Sequence, residues 1–347
     1  MKKLKTGFLM LLLSLALVAC GSEESSSNSD NTESNGETTE TAIEGDLSFY
    51  TSQPDEDAQK LVDAFKEKYP EVNVQTYRSG TEEVISKIKA EKEAGDVQAD
   101  VLLVADSVTF EDLKEEDMLL EYKSEELSEI PANLVDADGM YAGTKVMATA
   151  LVVNTTNVTE MPDSWNVLTE ESSKGQTIMP SPFYSGAAAY NLGVLTRNDE
   201  FGWGFYESLK ANETTITQGN GAVLKAVADG EKSYGMVVDF IVARAAAEGS
   251  PVELVYPSEG VPVITEPIGI MKDVENEAAA KAFVDFVLSE EGQNLAAELG
   301  YTPIRKGIEA PEGLKSIEDM KVLDADINEL YQSREEDKKE FESIFGQ

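Results

Sequence analysis

Beyond position 45 the chain alternates between short apolar runs and longer stretches in which apolar side chains recur every three or four positions. Leu47-Ser48-Phe49-Tyr50-Thr51 reads as a strand. After Pro54 the apolar residues Leu61, Val62, Phe65 and Tyr69 follow helical spacing, and Pro70 ends that stretch. Val72 to Tyr77 alternates like a second strand, and Arg78-Ser79-Gly80-Thr81 is a turn. Thr81 suits the N-cap of a helix carrying Val84, Ile85 and Ile88. Val101-Leu102-Leu103-Val104 is a continuous apolar run of the kind a buried parallel strand shows. A second set starts near Ala148. Its strands are predicted at 177–179, 235–238 and 252–256, and its helices around 187–195, 202–210 and 221–228. Strands alternating with helices predict an α/β fold with a largely parallel sheet. Val146 to Asn154 is long enough to cross between two lobes, and Glu266 to Met271 reads as a strand returning to the first. The expected division is 46–147 plus 266–305 for lobe 1 and 148–265 for lobe 2. The helix at 277–288 falls in lobe 1, and 306–347 is an acidic, helix-prone tail with no ligand role. No repeat of fixed period is visible.

The first 45 residues follow another pattern. Lys2, Lys3 and Lys5 precede an apolar run from Phe8 to Ala19, too short for a permanent membrane span. The run ends Leu17-Val18-Ala19-Cys20-Gly21, which resembles the lipobox of bacterial lipoproteins. That resemblance implies a signal peptide at 1–19, cleaved before an acylated Cys20, and an extracytoplasmic protein lipid-anchored to the bacterial cell membrane. Residues 20–45 are dominated by Ser, Glu, Asn, Thr and Gly, which bury too little apolar surface to offset the entropy of ordering. A disordered tether is expected there.

Composition narrows the chemistry. The formal net charge of −38 opposes binding to nucleic acid, whose phosphates require clustered Lys and Arg. The chain contains no histidine and one cysteine. Serine or cysteine nucleophiles activated by histidine, histidine-based metal sites and an internal disulfide are therefore excluded. With 66 acidic residues, chance carboxylate pairs are expected, and none stands out as an acid/base constellation. No enzyme, cofactor or resident metal is expected, and a monomer is.

Several segments, in their order along the chain, carry a family resemblance. They are Phe49-Tyr50-Thr51-Ser52-Gln53-Pro54, Ala99-Asp100-Val101-Leu102, Asp163-Ser164-Trp165, Met179-Pro180-Ser181-Pro182, Ser185-Gly186-Ala187-Ala188-Ala189-Tyr190, Lys225-Ala226-Val227-Ala228-Asp229-Gly230 and Ser289-Glu290-Glu291-Gly292-Gln293. Over roughly 46–305 the chain resembles the bacterial extracellular solute-binding proteins that include ferric-iron, phosphonate and sugar-phosphate binders. The resemblance implies a two-lobed periplasmic binding protein type II-like fold with a ligand cleft between the lobes. It also implies a small-molecule ligand handed to an ABC permease.

In that family the ligand loops sit at strand ends and helix N-termini, where free backbone N–H groups and the helix dipole favour anions. Three loops fit. Thr51, Ser52 and Gln53 follow the first strand and serve equally as a cap before Pro54. Ser185, Gly186 and Ala187 offer an N-cap hydroxyl and a close backbone approach, with Ala187 standing where phosphate-binding relatives commonly carry threonine. Gln218 and Asn220 lie in a glycine-flanked turn. Asp106 and Ser107 follow the third strand in the same manner. By the resemblance, Asp239 stands where an acid pairs with a ligand ammonium, or else caps its own helix beside Arg244. Arg78 and Lys145 are the candidate cations. The ferric-iron branch typically uses adjacent tyrosines, whereas this chain reads Val237-Val238-Asp239-Phe240-Ile241 at the corresponding junction. A small organic anion (phosphonate, organophosphate or carboxylate, with or without an amine) is the expected solute, and ferric iron the alternative.

Overall fold

The computed structural model describes residues 42–346. The signal segment, Cys20 and the tether up to residue 41 lie outside the described residues. In chain order the first elements are β1 (Gly45–Thr51), α1 (Asp55–Lys68), β2 (Val72–Arg78), α2 (Thr81–Ala94), β3 (Val101–Leu103), α3 (Ser107–Glu115) and the short β4 (Leu119–Leu120). The long β5 (Ala142–Asn154) leads to β6 (Thr177–Pro180), α4 (Gly186–Arg197), α5 (Gly202–Ala211), β7 (Thr215–Thr217), α6 (Asn220–Ala228), β8 (Tyr234–Val238), α7 (Asp239–Ala247) and β9 (Val252–Val255). The chain closes with β10 (Val261–Met271), α8 (Glu277–Leu288), α9 (Glu290–Glu298), β11 (Thr302–Pro303), β12 (Val322–Leu323) and α10 (Ile327–Phe345). None of the described helices is long and apolar enough to cross a membrane.

Strand order along the sheet is β2-β1-β3-β10-β5-β8-β6-β7. The outer strands of each half are parallel, as the alternation of elements predicts. Along this order the crossing strands β5 and β10 are antiparallel to their neighbours and to each other, so the sheet is mixed. β5 changes partner partway. Residues up to Ala148 pair with β10, and Thr149 to Val153 pair with β8. We refer below to the β1 half and the β6 half on either side of this switch.

β5 is buried along its whole length, which demands a partner for each polar side chain within it. Thr144 Oγ1 donates to the Glu266 carbonyl at 2.8 Å, Lys145 pairs with Glu266, and Thr149 Oγ1 accepts from Asn191 Nδ2 at 2.7 Å. In the β1 half, α1 buries Leu61, Val62 and Phe65 on one stripe and leaves Lys60 and Asp63 outside. Phe283 of α8 packs 4.8 Å from Phe49 and 4.9 Å from Phe65, ring centre to ring centre. Each such pair contributes roughly 0.5–1.5 kcal/mol beyond the area it buries. The β6 half centres on Trp165, Phe205, Tyr206 and Leu209, with the Trp165 indole donating to the Gly260 carbonyl at 2.8 Å.

Three expectations change at the edges. Gly45 and Asp46 already pair with Val72 and Asn73, so the strand starts inside the segment assigned to the tether. Gly80 is the N-cap of α2 and Thr81 its first, buried residue. α9, unread in the sequence, follows α8 directly, with Ser289 ending one helix and capping the next.

Candidate functional site

A cleft of about 370 Å³ opens between the two halves. Its walls are built almost wholly from helix N-termini. The β1 half contributes Ser52, Gln53, Pro54 and Asp55 at the start of α1, and Gly80 and Thr81 at the start of α2. The β6 half contributes Ser185, Gly186 and Ala187 of α4, Gly219 to Ala222 of α6, and Phe240 and Ile241 of α7. The first turns of helices carry N–H groups with no intrahelical acceptor, and the macrodipole makes those ends positive. Arg78, at the end of β2, adds a full charge. Its Nε donates to the Gln53 carbonyl at 2.7 Å, and among the described residues its terminal nitrogens make no hydrogen bond.

The loops are tied to one another. Ser185 Oγ accepts from Ala188 N and from Asn220 Nδ2, each at 3.2 Å, and Asn220 Oδ1 accepts from Val238 N at 3.3 Å. One relay thus fixes the starts of α4, α6 and α7. The halves also meet directly, with Glu82 N donating to the Tyr184 carbonyl at 3.3 Å. A Cβ on Gly186 would lie 2.5 Å from the Ala105 carbonyl oxygen. Only glycine permits that approach.

The inner end of the cleft holds Met147, Glu266 and Tyr301. Glu266 is fully buried, and burial pushes its carboxyl up against the opposing pull of Lys145. Beside it the Tyr301 hydroxyl donates to Asp57 Oδ2 at 2.6 Å, and Arg244 of α7 forks onto both Asp57 oxygens at 3.0 Å. Each buried acid in this corner is thus paired with a cation, Asp57 with Arg244 across the two halves and Glu266 with Lys145 between the crossing strands.

Of the residues singled out in the sequence, Ser52, Gln53, Ser185, Gly186, Ala187, Gln218 and Asn220 line the cleft together with Arg78. The structure does not bring Thr51, Asp106, Ser107 or Asp239 to the wall. Thr51 Oγ1 donates to the Leu103 carbonyl at 2.8 Å. Asp106 caps α3 through Thr109 N and accepts twice from Arg334, while Ser107 is the first residue of that helix. Asp239 accepts from Tyr256 Oη at 2.9 Å and from Phe240 N at 2.8 Å, and burial raises its pKa to about 6. Lys145 is likewise occupied, by Glu266. Sequence reasoning missed Asp55, Tyr184, Glu266 and Tyr301. The Gly80-Thr81 turn was visible as a helix start and could have been read as a fourth loop, whereas nothing local marks Tyr301.

Residues 60–322 match the family described as bacterial extracellular solute-binding protein. The chain belongs to that family. The solute-binding protein is 26% identical over 277 residues to the probable ABC transporter periplasmic-binding protein y4fP of Sinorhizobium fredii, covering 76% of this chain and 75% of that one. Its fold matches the periplasmic binding protein AfuA of Actinobacillus pleuropneumoniae with fructose-6-phosphate bound. The TM-score is 0.80 at 23% identity, over 86% of this chain and 98% of the other. Iron-bound HitA of Pseudomonas aeruginosa matches with a TM-score of 0.75 at 22% identity, over 85% and 99% of the two chains. The expected two-lobed, type II periplasmic binding fold is thus the fold of this solute-binding protein.

Proposed function

We propose that this solute-binding protein captures a small organic anion for an ABC importer and performs no chemistry on it. The observation that carries the reading is the convergence of the α1, α2, α4, α6 and α7 N-termini with Arg78 on one cleft. Unpaired main-chain donors and a guanidinium together suit a phosphate, phosphonate or carboxylate. An ammonium on the same solute would face Asp55, which lines the wall, and not Asp239. Hinge motion about β5 and β10 would let the halves open and close on the solute, with borders near 147/148 and 265/266. The lipobox-like Leu17-Val18-Ala19-Cys20 supports anchoring outside the cytoplasm, within reach of a permease.

Ferric iron is the second reading, since the phenols of Tyr184 and Tyr301 both stand in the wall. It is the weaker one. The Tyr301 hydroxyl is engaged by Asp57, and among the described residues no cluster of three or more acidic or cysteine side chains is arranged to hold a metal.

Thermal unfolding against a panel of phosphate monoesters, phosphonates, carboxylates and ferric citrate tests the choice. A binder present at a hundredfold excess over its Kd adds about 3 kcal/mol of stability. Arg78→Met should remove most of the stabilisation by an anion. Stabilisation by ferric citrate alone would transfer the assignment to iron, and turnover of any stabilising compound would make the protein an enzyme.

A further inference from the structure

The C-terminal helix α10 touches both halves, and it does so with different chemistry on each side. Toward the β6 half its contacts are mixed. Leu330 packs so closely on α4 that a Cβ on Gly193 would lie 2.7 Å from its Cδ2. Phe341 meets the Tyr206 ring edge-on at 6.0 Å, and Arg197 of α4 donates to Asp337 at 2.8 Å. Toward the β1 half the described ion pairs are made by two cations. Arg334 Nη1 reaches both Asp106 oxygens at 3.1 and 2.9 Å, its Nη2 reaches Glu82 Oε1 at 2.8 Å, and Lys338 Nζ reaches Glu82 Oε2 at 2.7 Å. Asp106 is fully buried, and both cationic side chains are about nine-tenths buried.

The two acids held in this way are not arbitrary surface groups. Glu82 sits in the first turn of α2, directly after the Gly80-Thr81 wall of the cleft, and its own N–H bonds Tyr184 of the other half. Asp106 directly follows Ala105, whose carbonyl oxygen is the close neighbour of Gly186. Each anion is therefore one residue from a cleft residue on the β1 half, and each is gripped by a helix packed on the β6 half. Burial alone would push Glu82 up, yet Arg334 and Lys338 outweigh it and hold its carboxyl below the usual range.

We infer that α10 is a strap across the two halves, and that Arg334 is a positioning residue that sets the Gly80–Glu82 and Ala105–Asp106 turns against the start of α4. The inference rests on the two-lobed fold and is independent of which solute is bound. Arg334 touches no cleft surface. It acts through Glu82 and Asp106, which directly follow the wall residues Thr81 and Ala105, and a planar guanidinium holds its donors toward the two carboxylates in a fixed fork that a rotating ammonium does not supply.

Removing Arg334 alone leaves buried carboxylates unpaired and risks unfolding, so the test uses two variants of the full chain. One is Arg334→Lys. The other is the neutral set Glu82→Gln, Asp106→Asn, Arg334→Gln and Lys338→Gln, in which Asn keeps the α3 cap and no buried charge is stranded. Hydrogen exchange of the solute-free protein is the readout, with small-angle scattering alongside. In the neutral set, amides 80–84 and 105–110 should exchange at least about tenfold faster while the β1 and β2 ladder is unchanged, and the radius of gyration should rise. Arg334→Lys should fall between the neutral set and the parent. Unchanged exchange at both turns, or a uniform rise across the whole β1 half, overturns the inference. In the first case the strap holds nothing, and in the second it is only a general stabiliser.

Discussion

Gly186→Ala separates closure of the cleft from stability of the fold. An added Cβ would stand 2.5 Å from the Ala105 carbonyl oxygen and 2.9 Å from Thr81 Oγ1, both on the opposite half. Carbon and oxygen rest at ~3.3–3.6 Å, so the halves must part by about 1 Å at this point. A hydrogen bond bridging the cleft at ~2.8 Å would stretch to ~3.8 Å, beyond any useful geometry. Losing one charge-assisted bond costs about 1.5–3 kcal/mol, which is roughly a 10- to 150-fold loss of affinity. The core of each half should be spared, because both crowded groups lie across the cleft and not within the half that carries Gly186. Titration calorimetry with the solute identified by the stability panel, beside thermal unfolding of the unliganded protein, measures both. An affinity within about twofold of the parent would show that the Gly186–Ala105 approach plays no part in capture, and the geometric argument would fail.

Two further outcomes follow from the buried charges. Lys145→Met strands the carboxylate of Glu266 and should lower stability in urea by about 3–5 kcal/mol, whereas adding Glu266→Leu should restore most of it. Asp239 has a folded pKa of about 6 against an ordinary 3.8. Its penalty on folding is absent below about pH 4, grows as pH rises through that window, and is complete above about pH 6. At ~1.4 kcal/mol per pH unit this reaches about 3 kcal/mol. Asp239→Asn should accordingly gain stability relative to the parent between pH 4 and pH 7. Equal pH profiles for the two proteins would refute the assignment.

Periodicity exposed most of the framework. Val72 to Tyr77 and Glu277 to Leu288 read directly, because one face of each buries apolar residues at the spacing its backbone imposes. Loops at helix starts were legible for the same local reason, since Ser185 is a capping residue wherever it leads. What the sequence withheld was side-chain allegiance. Asp106 and Asp239 look alike, each an acid just past a buried strand. One is taken by Arg334, 228 residues away, and the other by Tyr256, 17 residues away. The Arg334 to Lys338 stretch reads as an ordinary solvated helical surface until α2, α3 and α4 are folded beneath it. Glu266 lies mid-strand among apolar neighbours, and only the pairing of β10 with β5 places Lys145 opposite it.

Main-chain amides and a guanidinium share one property: neither gives up or gains a proton anywhere between mildly acidic and mildly alkaline conditions. The chain contains no imidazole, so the main-chain and guanidinium donors that line this cleft carry no acid-triggered switch of their own. On the proposed reading, these donors would release an anion by mechanical means, as the five helix starts are prised away from one another until no single one retains it alone.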